Sequence, residues 1–175
     1  MMSGSDRAGN LVLAGFMGTG KSTVGRIVAA RLGLAFVDTD DEIERRAGRT
    51  IAAIFAQDGE AAFRRLEAEV CQEIAAGCDQ VIAVGGGALL DESTRRAFAQ
   101  SSLIVCLTAS LDEILRRVGD DPGRPLFSPD RERLAALYAA RAAHYAALPY
   151  TVDTTARTPA DVAGEVIRLW NHQRS

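Results

Sequence analysis

"NLVLAGFMGTGKST", residues 10–23, runs from an apolar stretch through a glycine loop to a lysine followed by two hydroxyls. Residues 15–22 satisfy G-x-x-x-x-G-K-[ST] in full. They lie between an apolar strand pattern and a periodic helix pattern, the context that separates a phosphate-binding loop from a plain Gly-rich turn. Gly15, Gly18 and Gly20 remove the Cβ atoms that would keep successive backbone N–H groups from converging on a phosphate. The helix that begins near Lys21 points its partly positive end at the same anion. Lys21 is the only lysine in the chain, and every other basic side chain except two histidines is arginine. A compact ammonium on a flexible stem suits a tight loop where a planar guanidinium fork does not. Lys21 can follow the β- and γ-phosphates of a nucleotide, and Ser22 offers a hydroxyl to Mg²⁺.

Outward from this loop, short apolar runs alternate with segments of helical period. Strands are expected at 10–15, 35–38, 81–84, 103–107 and 150–153. Helices are expected over about 21–32, 40–47, 59–76, 91–99, 110–118, 130–147 and 159–171. Such βαβ repetition builds a mainly parallel sheet with helices on both faces. A length of 175 residues fits a single domain, 1–175. Gly33, Gly48 and Gly77 stand where helices should stop, as glycines able to take positive φ. Residues 119–130, "GDDPGRPLFSPD", hold three of the five prolines and break the rhythm; they read as a mobile lid. Residues 1–9 read as disordered.

A formal charge of −3 and a pI near 5.4, with arginines scattered among acids, predict no nucleic-acid partner and no membrane surface. The expected ligand is a small molecule, and the expected protein a cytoplasmic monomer. Cys71, Cys78 and Cys106 are odd in number and show no metal or disulfide spacing, so they read as small core residues. His144 and His172 have no second ligand at metal spacing.

The third strand pattern, "VIAV", runs into "GGG" and not into the aspartate that many P-loop proteins use to position Mg²⁺. The carboxylates come from "FVDTDDE" instead. Asp38 and Asp40 lie two apart at a strand end, and an extended chain would turn both to one side, beside the phosphate loop. One would hold the metal through water and the other would accept a proton or hydrogen bond from a hydroxyl nucleophile. The alternative is that Asp38 caps the next helix and the acids after it favour its first turn.

Among the arginines, Arg141 falls on the apolar stripe of Leu134, Leu137, Tyr138, Tyr145 and Leu148, so it needs either a buried carboxylate or an anionic substrate as partner. Arg64 lies three residues before Glu67, where an ordinary helix ion pair is open to it. Arg65, Arg95, Arg96 and Arg131 read as solvated. Arg124, between "DDPG" and "PLF", stands where a closing segment would bring a cation over transferring phosphate.

"GFMGTGKSTVGRIVAARLG", "FVDTDDEIERRAGRTIAAIFAQDGEAAFRRLEAEV", "VIAVGGGALL", "GRPLF" and "YTVDTTARTPADV" together resemble the shikimate kinase family in order and spacing, over residues 10 to 170. The resemblance implies an α/β fold of the P-loop nucleoside monophosphate kinase-like type, a three-layer sandwich with a five-stranded parallel sheet in the order 2-3-1-4-5. It implies transfer of the γ-phosphate of ATP to the 3-hydroxyl of shikimate in the route to aromatic amino acids, with ATP and Mg²⁺ required. By the same resemblance Gly18, Thr19, Gly20, Lys21, Ser22 and Thr23 would bind the nucleotide, with Ser22 and Asp38 serving the metal. Asp40 would meet the reacting hydroxyl, and Arg64 and Arg141 would take the substrate carboxylate. Gly85, Gly86 and Gly87 would let backbone approach the ring; without the resemblance they read as a tight turn. Lys21, Asp40 and Arg124 would be the catalytic set, with Arg117, Arg124, Arg157 and Pro159 on the nucleotide side.

The chain departs from the family where R-x-P-x-Y is common. It reads "RAAHY" at 141–145, followed by "AALPY", a change that bears on the helix end and the Michaelis constant more than on the reaction. Two rival readings are a kinase for another small metabolite, such as gluconate or a nucleoside monophosphate, and a nucleotide-binding module without catalysis.

Overall fold

The computed structural model describes residues 9–118 and 131–175. The expected lid at 119–130, Arg124 within it, and residues 1–8 lie outside the described residues.

Five strands, β1 (Asn10–Ala14), β2 (Ala35–Asp38), β3 (Gln80–Ala83), β4 (Ser102–Thr108) and β5 (Tyr150–Asp153), form one sheet in the order β2-β3-β1-β4-β5. Every pairing is parallel. Each strand must therefore be followed by a crossover, and the helices supply it: α1 (Lys21–Leu32), α2 (Thr39–Ala47), α3 (Ile51–Ala75), α4 (Glu92–Ser101), α5 (Leu111–Val118), α6 (Arg131–Ala146) and α7 (Pro159–Gln173).

The strand period divides the core into two layers. Leu11 and Leu13 of β1, with Leu103, Val105 and Leu107 of β4, pack against Val24 and Val28 of α1 and Val162, Val166 and Trp170 of α7. Val12 and Ala14, with Ile104 and Cys106, face the opposite way, onto Ile43, Ile54, Phe63, Val70, Phe98, Ile114 and Leu134. That is why the central strands read as continuous apolar runs: both of their faces are covered. β1 is central and flanked by β3 and β4, so the glycine loop that leaves its carboxyl end emerges between the loops that follow those two strands. Cys71 and Cys106 are buried and Cys78 half-buried, and all three are free thiols.

Three expectations change. The helix expected from residue 59 begins at Ile51, where Thr50 caps it by accepting from Ala53 N at 3.2 Å. Gly59 (φ 83, ψ 172) breaks it into two segments, so a start near residue 59 marked an internal break. Gly33 and Gly48 close their helices in the left-handed region at φ 68 and 65. Gly77 does not, because α3 ends through Ala76 in right-handed geometry and the positive φ falls on Asp79, at 59. Finally, the chain is not extended through Asp40. Asp38 ends β2 and is itself the N-cap of α2, which puts Asp40 in the first helical turn.

Candidate active site

Gly15, Gly18 and Gly20 hold φ of 134, 75 and 93, conformations a side chain rarely adopts. Gly15 is also enclosed, since a Cβ there would stand 2.2 Å from the Leu107 carbonyl oxygen. The loop is pinned from within by Thr19 Oγ1, which donates to Phe16 O at 2.8 Å. Gly20, the N-cap of α1, makes no side-chain hydrogen bond to the first turn, whose N–H groups suit an anion. Lys21 Nζ donates to Gly15 O (2.8 Å) and Phe16 O (3.0 Å), which hold the ammonium against the loop.

Beside the loop, Ser22 Oγ donates to Asp38 Oδ2 at 2.5 Å, and the other oxygen of Asp38 accepts from Asp40 N at 3.0 Å. Asp38 therefore caps α2, which is the alternative reading, and also faces the phosphate loop through Ser22. Thr39, fully buried, accepts from Gly85 N through its hydroxyl at 3.0 Å and so ties the start of α2 to the turn after β3.

That turn explains the three glycines. None of Gly85, Gly86 and Gly87 has positive φ; they are required by what stands over them. A Cβ on Gly85 would lie 2.8 Å from Glu67 Oε1 and 2.9 Å from Asp40 Oδ1, one on Gly86 3.3 Å from Arg141 Nη1, and one on Gly87 2.6 Å from Arg64 Nη1. The expected tight turn is thus also a floor on which two carboxylates and two guanidiniums converge.

Arg64 Nη1 donates to Glu67 Oε2 at 2.7 Å, so the ion pair expected along α3 is present. It is not an ordinary surface pair, because Glu67 is 4% exposed. Burial pushes the Glu67 carboxyl above its ordinary range, against the opposing pull of Arg64 and Arg141. Arg141 is 6% exposed, with its guanidinium carbon 5.7 Å from the centre of the Phe16 ring. Phe16 belongs to the phosphate loop, so the loop and the arginine brace each other. One turn on, Tyr145 donates to Gly86 O at 2.6 Å, and burial pushes its phenol up to about 12, which keeps it a donor. With "RAAHY" the helix still runs to Ala146 and delivers Arg141 and Tyr145 to the floor.

At the other end, Arg117 on α5 donates to Gly18 O (3.2 Å), Thr154 Oγ1 (2.9 Å) and Thr154 O (2.6 Å), with Nε on Glu113 at 2.7 Å. Glu113 is held down to about 2 by hydrogen bonds from Arg116 and Arg117. Arg157 pairs with Glu165 at 2.7 Å. Of the arginines read as solvated, Arg95 and Arg96 lie on Glu92 and Arg131 on Asp112, all at the surface. Arg65 is exposed.

Among the described residues, every nucleotide-, metal- and substrate-site residue implied by the resemblance lines one cleft of about 720 Å³. The structure adds Glu67, Glu113, Arg116 and Thr154 to that wall. Glu67 had a signal: it falls on the stripe of Phe63, Val70, Cys71 and Ile74, where an acid among buried apolar residues needs a reason. Thr154 had none, since its link to Arg117 spans 37 residues. Among the described residues there is no cluster of three or more His, Cys, Asp or Glu that would hold a metal, and no helix is long and apolar enough to cross a membrane.

A phosphate loop after the central strand of a 2-3-1-4-5 parallel sheet, opening into a cleft that continues to carboxylates and paired arginines, defines an ATP-dependent P-loop phosphotransferase of the nucleoside monophosphate kinase-like type. The family model for shikimate kinase matches residues 17–171. The chain is 47% identical to shikimate kinase of Thermobifida fusca (87% of this chain, 89% of that one) and 40% identical to that of Geobacter metallireducens (90% and 89%). Among solved structures, the shikimate kinase of Acinetobacter baumannii in complex with shikimate superposes with a TM-score of 0.91 at 35% identity, covering 95% of this chain and 94% of that one. The chain belongs to the shikimate kinase family.

Proposed function

We propose that the two ends of the cleft divide the reaction between them, with ATP held from the phosphate loop to Arg117, Arg157 and Pro159, and shikimate held over Gly85–Gly87. The observation that carries this reading is the convergence of Arg64 and Arg141 on the glycine floor together with Asp40, in the same cleft as Lys21. A guanidinium pair suits a carboxylate, and a carboxylate suits the hydroxyl that attacks.

In this reading Gly18, Thr19, Gly20, Lys21, Ser22 and Thr23 cradle the phosphates, and Arg64 and Arg141 fix the acid so that its 3-hydroxyl faces the γ-phosphate. Asp40 orients that hydroxyl and accepts its proton. Lys21 offsets charge on the transferring group, as would Arg124 by its place in the sequence. Mg²⁺ fits the donors present. A hydroxyl and a carboxylate 2.5 Å apart beside the loop match an ion that takes one or two protein oxygens and fills its shell with water and phosphate. When bound, it supplies charge for the β- and γ-oxygens. Ser22 would hold it directly and Asp38 through water. The three free thiols fit a reducing, cytoplasmic setting, and the protein is read as a monomer.

The test is ADP release with ATP and Mg²⁺ in the presence of shikimate, gluconate, a nucleoside monophosphate or no acceptor. Release with shikimate alone is expected. Release with another acceptor would overturn the assignment of Arg64 and Arg141, and nucleotide binding without release would leave a module without catalysis.

A further inference from the structure

Glu67 is enclosed by charge. On its own helix it accepts from Arg64 at 2.7 Å, and Cys71 lies one turn on. Its other oxygen and Asp40 Oδ1, from α2, both come within 3 Å of the point a Cβ on Gly85 would occupy. Arg141 from α6 and Asp91, the cap of α4, act on it from the remaining sides. Besides the main cleft it lines a second cavity, of about 490 Å³, which shares Arg64, Gly87 and Arg141 and whose wall also holds the exposed Glu60, Asp91 and His144.

Among the described residues, the guanidiniums of Arg64 and Arg141 and the carboxylates of Asp40 and Asp91 all act around Glu67. An acceptor acid seated on Arg64 and Arg141 brings a further carboxylate into the same space. The added negative charge falls beside Glu67, which is 4% exposed, and like charges so placed favour protonation of the least solvated one. The carboxylate on the floor with least access to water is Glu67. Neutral, it keeps a carbonyl oxygen for Arg64 while releasing the arginine's charge to the ligand.

We propose that Glu67 takes up a proton from solvent when the acceptor acid binds, so that the site exchanges its internal counter-ion for the substrate's carboxylate. The proposal rests on the reading of Arg64 and Arg141 given above. The second cavity gives the proton a route: its exposed acids and imidazole connect Glu67 with water while the acceptor fills the cleft. The balance is simple, with a buffer acid losing one proton and Glu67 gaining it. The upward displacement of the Glu67 carboxyl by burial acts in the same direction.

The test is calorimetry of shikimate binding to the full chain between pH 6 and 8, in two buffers of different ionisation enthalpy. Proton uptake is expected as a buffer-dependent enthalpy, with affinity falling by up to about tenfold per pH unit over the range where Glu67 is ionised in the free protein and protonated in the complex. Glu67→Gln should show neither effect. Infrared difference spectra of the wild-type protein carrying ¹³C-glutamate should show a protonated-carboxyl band on binding that moves with the label, and this decides the matter if the variant does not fold. A buffer-independent enthalpy, uptake that persists in Glu67→Gln, or a band indifferent to the label would each overturn the proposal. Absence of any shikimate binding would overturn the proposed function first and this inference with it.

Discussion

Ser22 Oγ and Asp38 Oδ2 lie 2.5 Å apart, joining the first turn of α1 to the end of β2. Asp38 also caps α2, so its two duties can be separated by substitution. Asparagine caps a helix as well as aspartate does, whereas alanine costs about 1 kcal/mol. Asp38→Asn is therefore expected to melt near the wild type while raising the Mg²⁺ needed for half-maximal rate by about tenfold or more. Asp38→Ala should do the same and lose stability as well. Magnesium titrations beside thermal melts check both, and an unchanged Mg²⁺ requirement in Asp38→Asn would remove Asp38 from the metal site.

Gly87 and Gly33 offer a matched contrast. A Cβ on Gly87 would stand 2.6 Å from Arg64 Nη1, while one on Gly33 would meet nothing within 4 Å but sits at φ 68. Gly87→Ala must displace the guanidinium, and a displacement of about 1 Å costs on the order of 10²-fold in kcat/KM. That loss should be read in the KM for shikimate, with the KM for ATP held. Gly33→Ala should keep wild-type kinetics and lose about 1–2 kcal/mol of stability to left-handed strain. Steady-state kinetics and denaturant melts of the pair measure both.

Much of this was legible in the sequence because it is local. The phosphate loop, the D-T-D of residues 38–40 and the glycines at 85–87 each announce themselves within a few residues. The period of apolar positions gave all five strands and placed Arg141 on an inward stripe. What stayed hidden depends on contacts between distant segments. The glycine floor reads as a turn until Arg64, Glu67, Asp40 and Arg141 arrive from three helices. Gly59 interrupts the register of Ile51 to Asp58 with the rest of α3, so the helical spacing of Ile51, Ile54 and Phe55 does not run on into the longer period. Asp38 and Asp40 would share a side only on extended backbone, and capping by Asp38 turns the chain into α2 first.

Arg117 closes the end of the cleft proposed for the nucleotide by holding Gly18 and Thr154, residues 99 and 37 positions away. Arg117→Ala frees both at once and removes a cation from that wall. We expect the KM for ATP to rise about tenfold, a loss of about 1.4 kcal/mol in binding, and the KM for shikimate to change little. Kinetics with each substrate varied in turn would show the split, and equal effects on both constants would point to a general loosening of the fold.

The burial of Glu67 gives a signed dependence of stability on pH. Its carboxyl is raised above the 4.5 of an unfolded chain, so the folded protein holds this proton more tightly than the unfolded one. The resulting stability is fully present below about pH 4.5 and is lost as pH rises through the higher folded value. Glu67→Gln carries no such proton. In melts from pH 4.5 to 8, the Tm of the wild type relative to Glu67→Gln is therefore expected to fall as pH rises. Adding an acid that occupies Arg64 and Arg141 should carry that fall to higher pH, because a further carboxylate raises the cost of ionising Glu67. A relative Tm that climbs with pH would mean that Arg64 and Arg141 outweigh burial, and that Glu67 is held as a carboxylate across the whole range.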